Sequence, residues 1–197
     1  MYKTIVTFCK STFLVGKLLA NPYAVYQALA PMYVHPRYQI REGASNGGKD
    51  QIVILSDQLP EQDEWLQMSA RLQTPIDVEI QEYPNPFLTG KMYEFDLVAN
   101  PTWHSTAGKR LGITNPEQQI EWLRRKLEPA ARLLRVQVKA SYPISMPHKG
   151  SKITLAIAHF TGIMQVTNPD AAYTLLRNGI GRAKSMGCGL LLTRQIN

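Results

Sequence analysis

Residues Gly179-Ile180-Gly181-Arg182-Ala183-Lys184-Ser185-Met186-Gly187-Cys188-Gly189 place four glycines, one arginine and one lysine immediately before the apolar run Leu190-Leu191-Leu192. Glycine lets the backbone take positive φ and lets other groups come close, while oriented N–H groups and two cations suit an anion such as phosphate. Spacing alone leaves a structural alternative equally open: Gly179 as the C-cap of a helix, with Gly187 and Gly189 marking a tight turn into a strand. The segment is neither a Walker loop nor a dinucleotide fingerprint. A second constellation is Tyr23 with Tyr26. At 100° per residue Val25, Ala28, Leu29 and Met32 share one helix face, and the two tyrosines fall off it. Neighbouring phenols suit a nucleic-acid surface, although amphipathic tyrosines on a helix surface are also common.

Charge agrees with an anionic partner. The chain has 197 residues with 22 Lys+Arg against 15 Asp+Glu, a net +7, which favours polyanions without specifying one. Cys9 and Cys188 sit in strand-like apolar contexts and match no disulfide or metal spacing, so reduced core thiols in a cytoplasmic protein are expected. The four histidines, His35, His104, His148 and His159, are scattered, and no metal or other cofactor is expected. His159, on the apolar face with Leu155 and Ile157, reads as structural. No apolar run approaches the roughly 20 residues of a membrane span, and Lys10 and Lys17 interrupt any signal-peptide core.

The elements that must position these residues show clear punctuation. Asn21-Pro22, Asn115-Pro116 and Asn168-Pro169 each pair a capping side chain with a proline suited to the first helical position. The helix from Pro116 to Leu127 is expected to bury Ile120, Leu123 and Leu127, with Arg124-Arg125-Lys126 as solvated charge in its last turn. Strand patterns cover Tyr2 to Phe8, Tyr38 to Glu42, Gln51 to Ser56 and Met92 to Ala99. Further ones cover Leu133 to Ala140, Lys152 to Thr161, Ile163 to Thr167 and Leu190 to Thr193. With a short helix near Asp63 to Met68 and a turn at Asn46-Gly47-Gly48, the first half reads β-α-β-β-α-β. The expected class is therefore α+β, with two tandem ferredoxin-like domains. Residues 1–100 form the first, 101–113 a junction and 114–197 the second.

Several stretches resemble the CRISPR repeat-RNA endoribonucleases of the CasE type, within the RAMP superfamily. They are Asn21-Pro22-Tyr23, Ala99-Asn100-Pro101, Gly108-Lys109-Arg110, Trp122 to Leu127, and Gly179 to Lys184 with Gly187 to Leu191. The resemblance implies two ferredoxin-like domains that bind a CRISPR repeat hairpin and cut precursor crRNA at the 3′ base of the stem. The cut needs no metal: a ribose 2′-hydroxyl attacks the adjacent phosphate. The product stays in a Cascade-like complex with other effector subunits, and no membrane is involved. It assigns catalysis to Tyr23 and Tyr26, the latter standing where the family carries a histidine. RNA contacts are expected from Lys109, Arg110, Lys149, Lys152, Gly179, Gly181, Arg182, Lys184, Gly187 and Gly189. The segment Tyr142 to Pro147 replaces much of the positive charge that the family places in its second-domain loop. Two readings follow: a slow metal-independent endoribonuclease, or a repeat-binding scaffold with weak or no cleavage. His35, nine residues past Tyr26, would lie roughly 13 Å away along a continued helix, while His104 and His148 fall in expected loops.

Overall fold

The computed structural model describes residues 1–33, 38–42, 49–148 and 151–196. The expected turn at Asn46-Gly47-Gly48, His35 and Lys149 lie outside them, as does the side chain of His148. The chain divides into two compact units, Met1–Pro84 with Ser185–Gly187, and Asn85–Lys184 with Cys188–Asn197.

In the first unit β1 (Tyr2–Phe8) is followed by α1 (Phe13–Leu19), α2 (Pro22–Leu29) and a 3₁₀ turn, Ala30–Met32. Then come β2 (Tyr38–Glu42), β3 (Gln51–Ser56), α3 (Asp63–Leu72) and β4 (Ile76–Glu82). The antiparallel sheet runs β2-β3-β1-β4. Period-two alternation drives β1: Thr4, Val6 and Phe8 are buried while their neighbours are partly exposed. Val6, Phe8 and Ile54 from the sheet meet Val25 and Leu29 of α2 and Trp65 and Met68 of α3 in one core.

Two elements here were not anticipated. α1 is only seven residues long, but the Thr12 hydroxyl caps it by accepting from Val15 N–H at 3.2 Å and ties its start to the end of α3 by donating to the Leu72 carbonyl at 3.0 Å. β4 carries a clean alternation of Ile76, Val78 and Ile80 with Asp77, Glu79 and Gln81, and it fills the place of the unit's last strand, for which Met92 to Ala99 is expected.

That later segment belongs to the second unit. β5 (Met92–Ala99) is followed by the small hairpin β6 (Thr102–His104) and β7 (Arg110–Gly112), then α4 (Pro116–Leu127). β8 (Ala131–His148), β9 (Ser151–Val166), α5 (Pro169–Asn178), a 3₁₀ turn at Lys184–Met186 and β10 (Leu191–Ile196) complete the order. The sheet runs β10-β5-β9-β8, all antiparallel. The division thus falls after Pro84 instead of after residue 100, because β5 satisfies its edges with β9 and β10. Both units are β-α-β-β-α-β with the same strand order, so the fold is two ferredoxin-like domains.

Gly162 explains why β9 is one strand and not two. A β-carbon there would stand 2.1 Å from the Arg135 carbonyl and 2.8 Å from the Phe95 ring, so the glycine is a close-approach site within a continuous strand. It lies opposite Val136, beside the β8 irregularity at Leu133/Arg135. β5 pairs with β9 only as far as Ala99 opposite Ala158, whereas β8 and β9 stay paired to His148 opposite Ser151. The expected loop Tyr142 to Pro147 is therefore part of a two-stranded arm. Pro143 and Pro147 are tolerated because β8 is an edge strand.

Candidate nucleic-acid interface

In the first unit, α2 carries the phenols. Asn21 (φ −129°, ψ 95°) accepts hydrogen bonds from Tyr23 N–H at 3.1 Å and Ala24 N–H at 3.3 Å, and Pro22 opens the helix. This fixes Tyr23 in the first turn and Tyr26 one turn later, close to the same face. Both are partly buried, and Tyr26 packs against the core beside Val25 and Leu29. Tyr26 is thus less separated from the core face than the helical wheel indicates. Residues Ser185–Gly187 group with this unit. Gly187 takes φ +74°, and a β-carbon on it would meet Pro22 Cβ at 3.5 Å, so part of the glycine segment lies at the N-terminus of the tyrosine helix.

The cations sit in the second unit. α5 ends at Gly179, whose N–H donates to the Leu175 carbonyl at 2.8 Å. Ile180 N–H then donates to the Gly189 carbonyl at 2.8 Å, Cys188 N–H to Ala183 at 3.3 Å and Gly189 N–H to Val98 at 2.7 Å. The two ends of the segment are thereby tied to each other and to β5. At Gly189 (φ +94°) a β-carbon would stand 2.9 Å from the Ile180 carbonyl, which requires glycine. At Gly181 (φ +85°) it would meet the Trp122 indole at 3.0 Å. Trp122 itself stacks on Phe160, centroids 6.3 Å apart, and so anchors α4 to the sheet. Gly179 and Gly189 are buried with their amides bonded to protein carbonyls, and their part is to shape the loop that presents Arg182 and Lys184.

Arg182 is exposed and lines a cavity of about 490 Å³ together with Arg110, Asn100, Thr102 and Thr154. Two guanidiniums far apart in sequence thus share one concavity, whose wall also includes Leu111, Pro143, Ile153 and Leu155, and paired guanidiniums suit phosphate oxygens. Lys109 and Lys152 are exposed, the latter on the β8–β9 arm. That Arg110 joins Arg182 was invisible in the sequence, since it depends on how the β6–β7 hairpin folds against the arm.

The histidines with described side chains are both engaged within the second unit. Arg110 donates to His104 Nε2 at 2.8 Å, and His159 Nε2 donates to the Asp96 carboxylate at 2.9 and 3.0 Å. His159, partly buried, has the structural setting expected of it. Burial pushes the Cys188 thiol up to about 12, which leaves little reactive thiolate at neutral pH. Among the described residues no helix is long and apolar enough to cross a membrane.

A Thermus thermophilus CRISPR-associated endoribonuclease, Cse3, is 28% identical over 196 residues, covering 88% of this chain and 90% of its own. The Escherichia coli Cascade subunit CasE is 37% identical over 82 residues, 42% of this chain and 41% of its own. Among solved structures, Thermus thermophilus Cse3 bound to an RNA representing a pre-cleavage complex superposes with TM-score 0.82 at 23% identity over 98% of both chains. Escherichia coli Cas6e does so with TM-score 0.74 at 23% identity over the whole of both. The model of the CRISPR associated protein family matches residues 1–195 and takes in the tyrosine helix, the Gly-Lys-Arg hairpin and the glycine segment alike, so the chain belongs to that family.

Proposed function

We propose that this chain is a repeat-RNA endoribonuclease that binds a CRISPR repeat stem-loop and cuts precursor crRNA at the 3′ base of the stem. It then stays on the mature guide as a subunit of a cytoplasmic Cascade-like effector complex. The observation that carries this reading is the end-to-end likeness to an RNA-cutting relative, combined with a chain that supplies both a phenol pair on a capped helix and clustered cations. Lys109, Arg110, Lys152, Arg182 and Lys184 neutralise the backbone of the RNA, and Lys149 adds to them. A-form stems are recognised mainly by shape and phosphate contacts, so a cationic surface is the necessary property.

Cleavage proceeds without a metal by transesterification. The 2′-oxygen attacks phosphorus, the bond from phosphorus to the 5′-oxygen breaks, and the products are a 2′,3′-cyclic phosphate and a free 5′-hydroxyl. The 2′-hydroxyl loses a proton to solvent water, and the departing 5′-oxygen gains one from a donor in the site. Phenols, with a reference pKa near 10, are protonated at neutral pH and serve better as the donor to the leaving oxygen than as the base. Tyr26 takes the donor role and Tyr23 orients the phosphate. Positioned acid–base catalysis typically contributes about 100-fold to 10,000-fold, so a tyrosine in place of histidine makes a slow enzyme. Slow turnover suffices for a protein that cuts once and keeps its product.

The test is incubation with repeat stem-loop RNA in EDTA, beside the same RNA carrying a 2′-deoxy group at the cut site. Cleavage of the first and not the second is expected. The contact of Tyr26 with the core favours one alternative, a binding scaffold, and tight binding with no cut in either RNA would select it.

A further inference from the structure

We propose that the β6–β7 hairpin is a stacking platform for an unpaired RNA base flanking the stem, with Trp103 as its surface; this rests on the RNA-binding reading above. Three cross-strand pairs define the hairpin: Thr102 with Gly112, Trp103 with Leu111 and His104 with Arg110. Its loop is closed by Ser105, whose N–H donates to the Lys109 carbonyl at 2.8 Å and whose hydroxyl accepts from Lys109 N–H at 3.1 Å. Gly108 (φ +72°) completes the turn with a 2.9 Å bond to the Ser105 carbonyl.

One face of the hairpin is set down on the β8–β9 arm. A β-carbon at Gly112 would stand 2.5 Å from Ala156 Cβ, so the Thr102–Gly112 side faces the arm at van der Waals contact. The pleat then turns the neighbouring pair, Trp103 and Leu111, to the opposite side. They are 48% and 44% exposed, whereas Trp65 and Trp122 are 7% and 4% exposed. A cross-strand pair of Trp and Leu stabilises a two-stranded hairpin, but that function does not require the largest apolar side chain to stay half in water.

The surroundings specify the occupant. Thr102 to Gly112 contains His104, Lys109 and Arg110 and no acidic residue, and Lys109 and Arg110 are exposed. A half-exposed indole on a hairpin whose turn and opposite face carry cations can offer one side to a base and the other to its adjoining phosphates, the combination used by single-strand binders. Bases inside an A-form stem have no free face to offer, so the ligand is a single-stranded segment next to the stem. Stacking accepts any base, so the platform tolerates sequence variation.

Because the other two tryptophans are buried, acrylamide quenching of intrinsic fluorescence reports on Trp103. The titrations use a repeat stem-loop RNA with blunt ends and the same stem-loop with an unpaired tail of about six nucleotides at its 5′ or 3′ end. One tailed RNA is expected to shield Trp103 from acrylamide and to bind roughly tenfold more tightly than the blunt one. Trp103→Ala abolishes that increment and Trp103→Phe keeps most of it, with blunt-stem affinity unchanged in both. The inference is overturned if the blunt stem binds and neither tail adds affinity or protection, or if Trp103→Ala keeps the increment. Loss of assembly with a protein subunit in Trp103→Ala, with all RNA affinities intact, would overturn it in favour of a protein-docking face. Failure of the blunt stem itself to bind would bring down the RNA-binding reading and this inference together.

Discussion

The two units share a strand order and differ in what is attached to it. In the first, the sheet β2-β3-β1-β4 ends in the edge strand β4, with Asp77, Glu79 and Glu82 on its exposed positions. Its candidate site residues, Tyr23 and Tyr26, are confined to the capped helix α2. The second carries the arm, the hairpin and the pinned glycine loop, and with them Lys109, Arg110, Lys152, Arg182 and Lys184. Under the proposed function, one framework would hold proton-transfer groups in one copy and charge-neutralising groups in the other. The fold sets where strand ends and helix starts lie, and the residues placed there decide the task.

The largest expected effect comes from treating equivalent glycine substitutions as a contrast between units. Gly162→Ala in the second unit drives a β-carbon into the Arg135 carbonyl and should cost about 3 kcal/mol or more. Gly187→Ala, with only Pro22 at 3.5 Å, should cost about 1 kcal/mol from its positive φ. Urea unfolding of both variants measures the difference, and equal costs would contradict the close-approach role of Gly162.

A pH titration separates the units next. Burial raises the Tyr33 phenol of the first unit to about 12, with the Thr4 and Ser56 hydroxyls offsetting part of the rise. The fold therefore favours the neutral phenol. Its stabilising contribution is complete below the unfolded value near 10 and is lost as pH rises from 10 towards 12, roughly 2 to 3 kcal/mol in all. Tyr33→Phe should flatten the pH dependence of first-unit unfolding in that window, and an unchanged profile would exclude Tyr33 as its source.

Function should divide the same way. Tyr26→Phe is expected to slow cutting tenfold or more with little change in RNA affinity, and Tyr26→His to speed it, as read in single-turnover assays. Arg110→Ala with Arg182→Ala should instead weaken binding uniformly and lower the salt dependence by about one unit of slope per cation. If the arginine variant loses rate but not affinity, the proposed division of labour is wrong. The smallest effect is at Asn115, whose Oδ1 accepts from Gln118 N–H at 3.0 Å; Asn115→Ala should cost about 1 kcal/mol in thermal unfolding.

Much of this was legible because local rules sufficed. All three Asn-Pro starts cap helices as read, since cap and proline act on their own turn. Period-two alternation marked β5 correctly as a strand but carries no information about which sheet it joins, so the segment was assigned to the wrong unit. The strand patterns from Lys152 to Thr161 and Ile163 to Thr167 leave Gly162 between them, and only the nearness of Arg135 and Phe95 shows why a glycine is needed inside one continuous strand. α1 was missed because Gly16 and Lys17 blur a seven-residue pattern whose stability comes from Thr12 reaching Leu72, 60 residues away. At the site, individual cations were readable, but the cavity joining Arg110 to Arg182 and the exposure of Trp103 are products of tertiary packing.

The pairing of β5 with β10 governs the order in which this molecule can be made. Glu94 and Arg194 are 100 residues apart in the chain, and their strands meet only after the arm and α5 have been synthesised. Until then β5 presents unpaired N–H and C=O groups along one edge, an invitation to strands of other nascent chains. Closure over such a separation is slow on entropic grounds. The step that closes this edge also brings Gly189 to Val98, so the sheet loses its adhesive border at the moment the cationic loop acquires its shape.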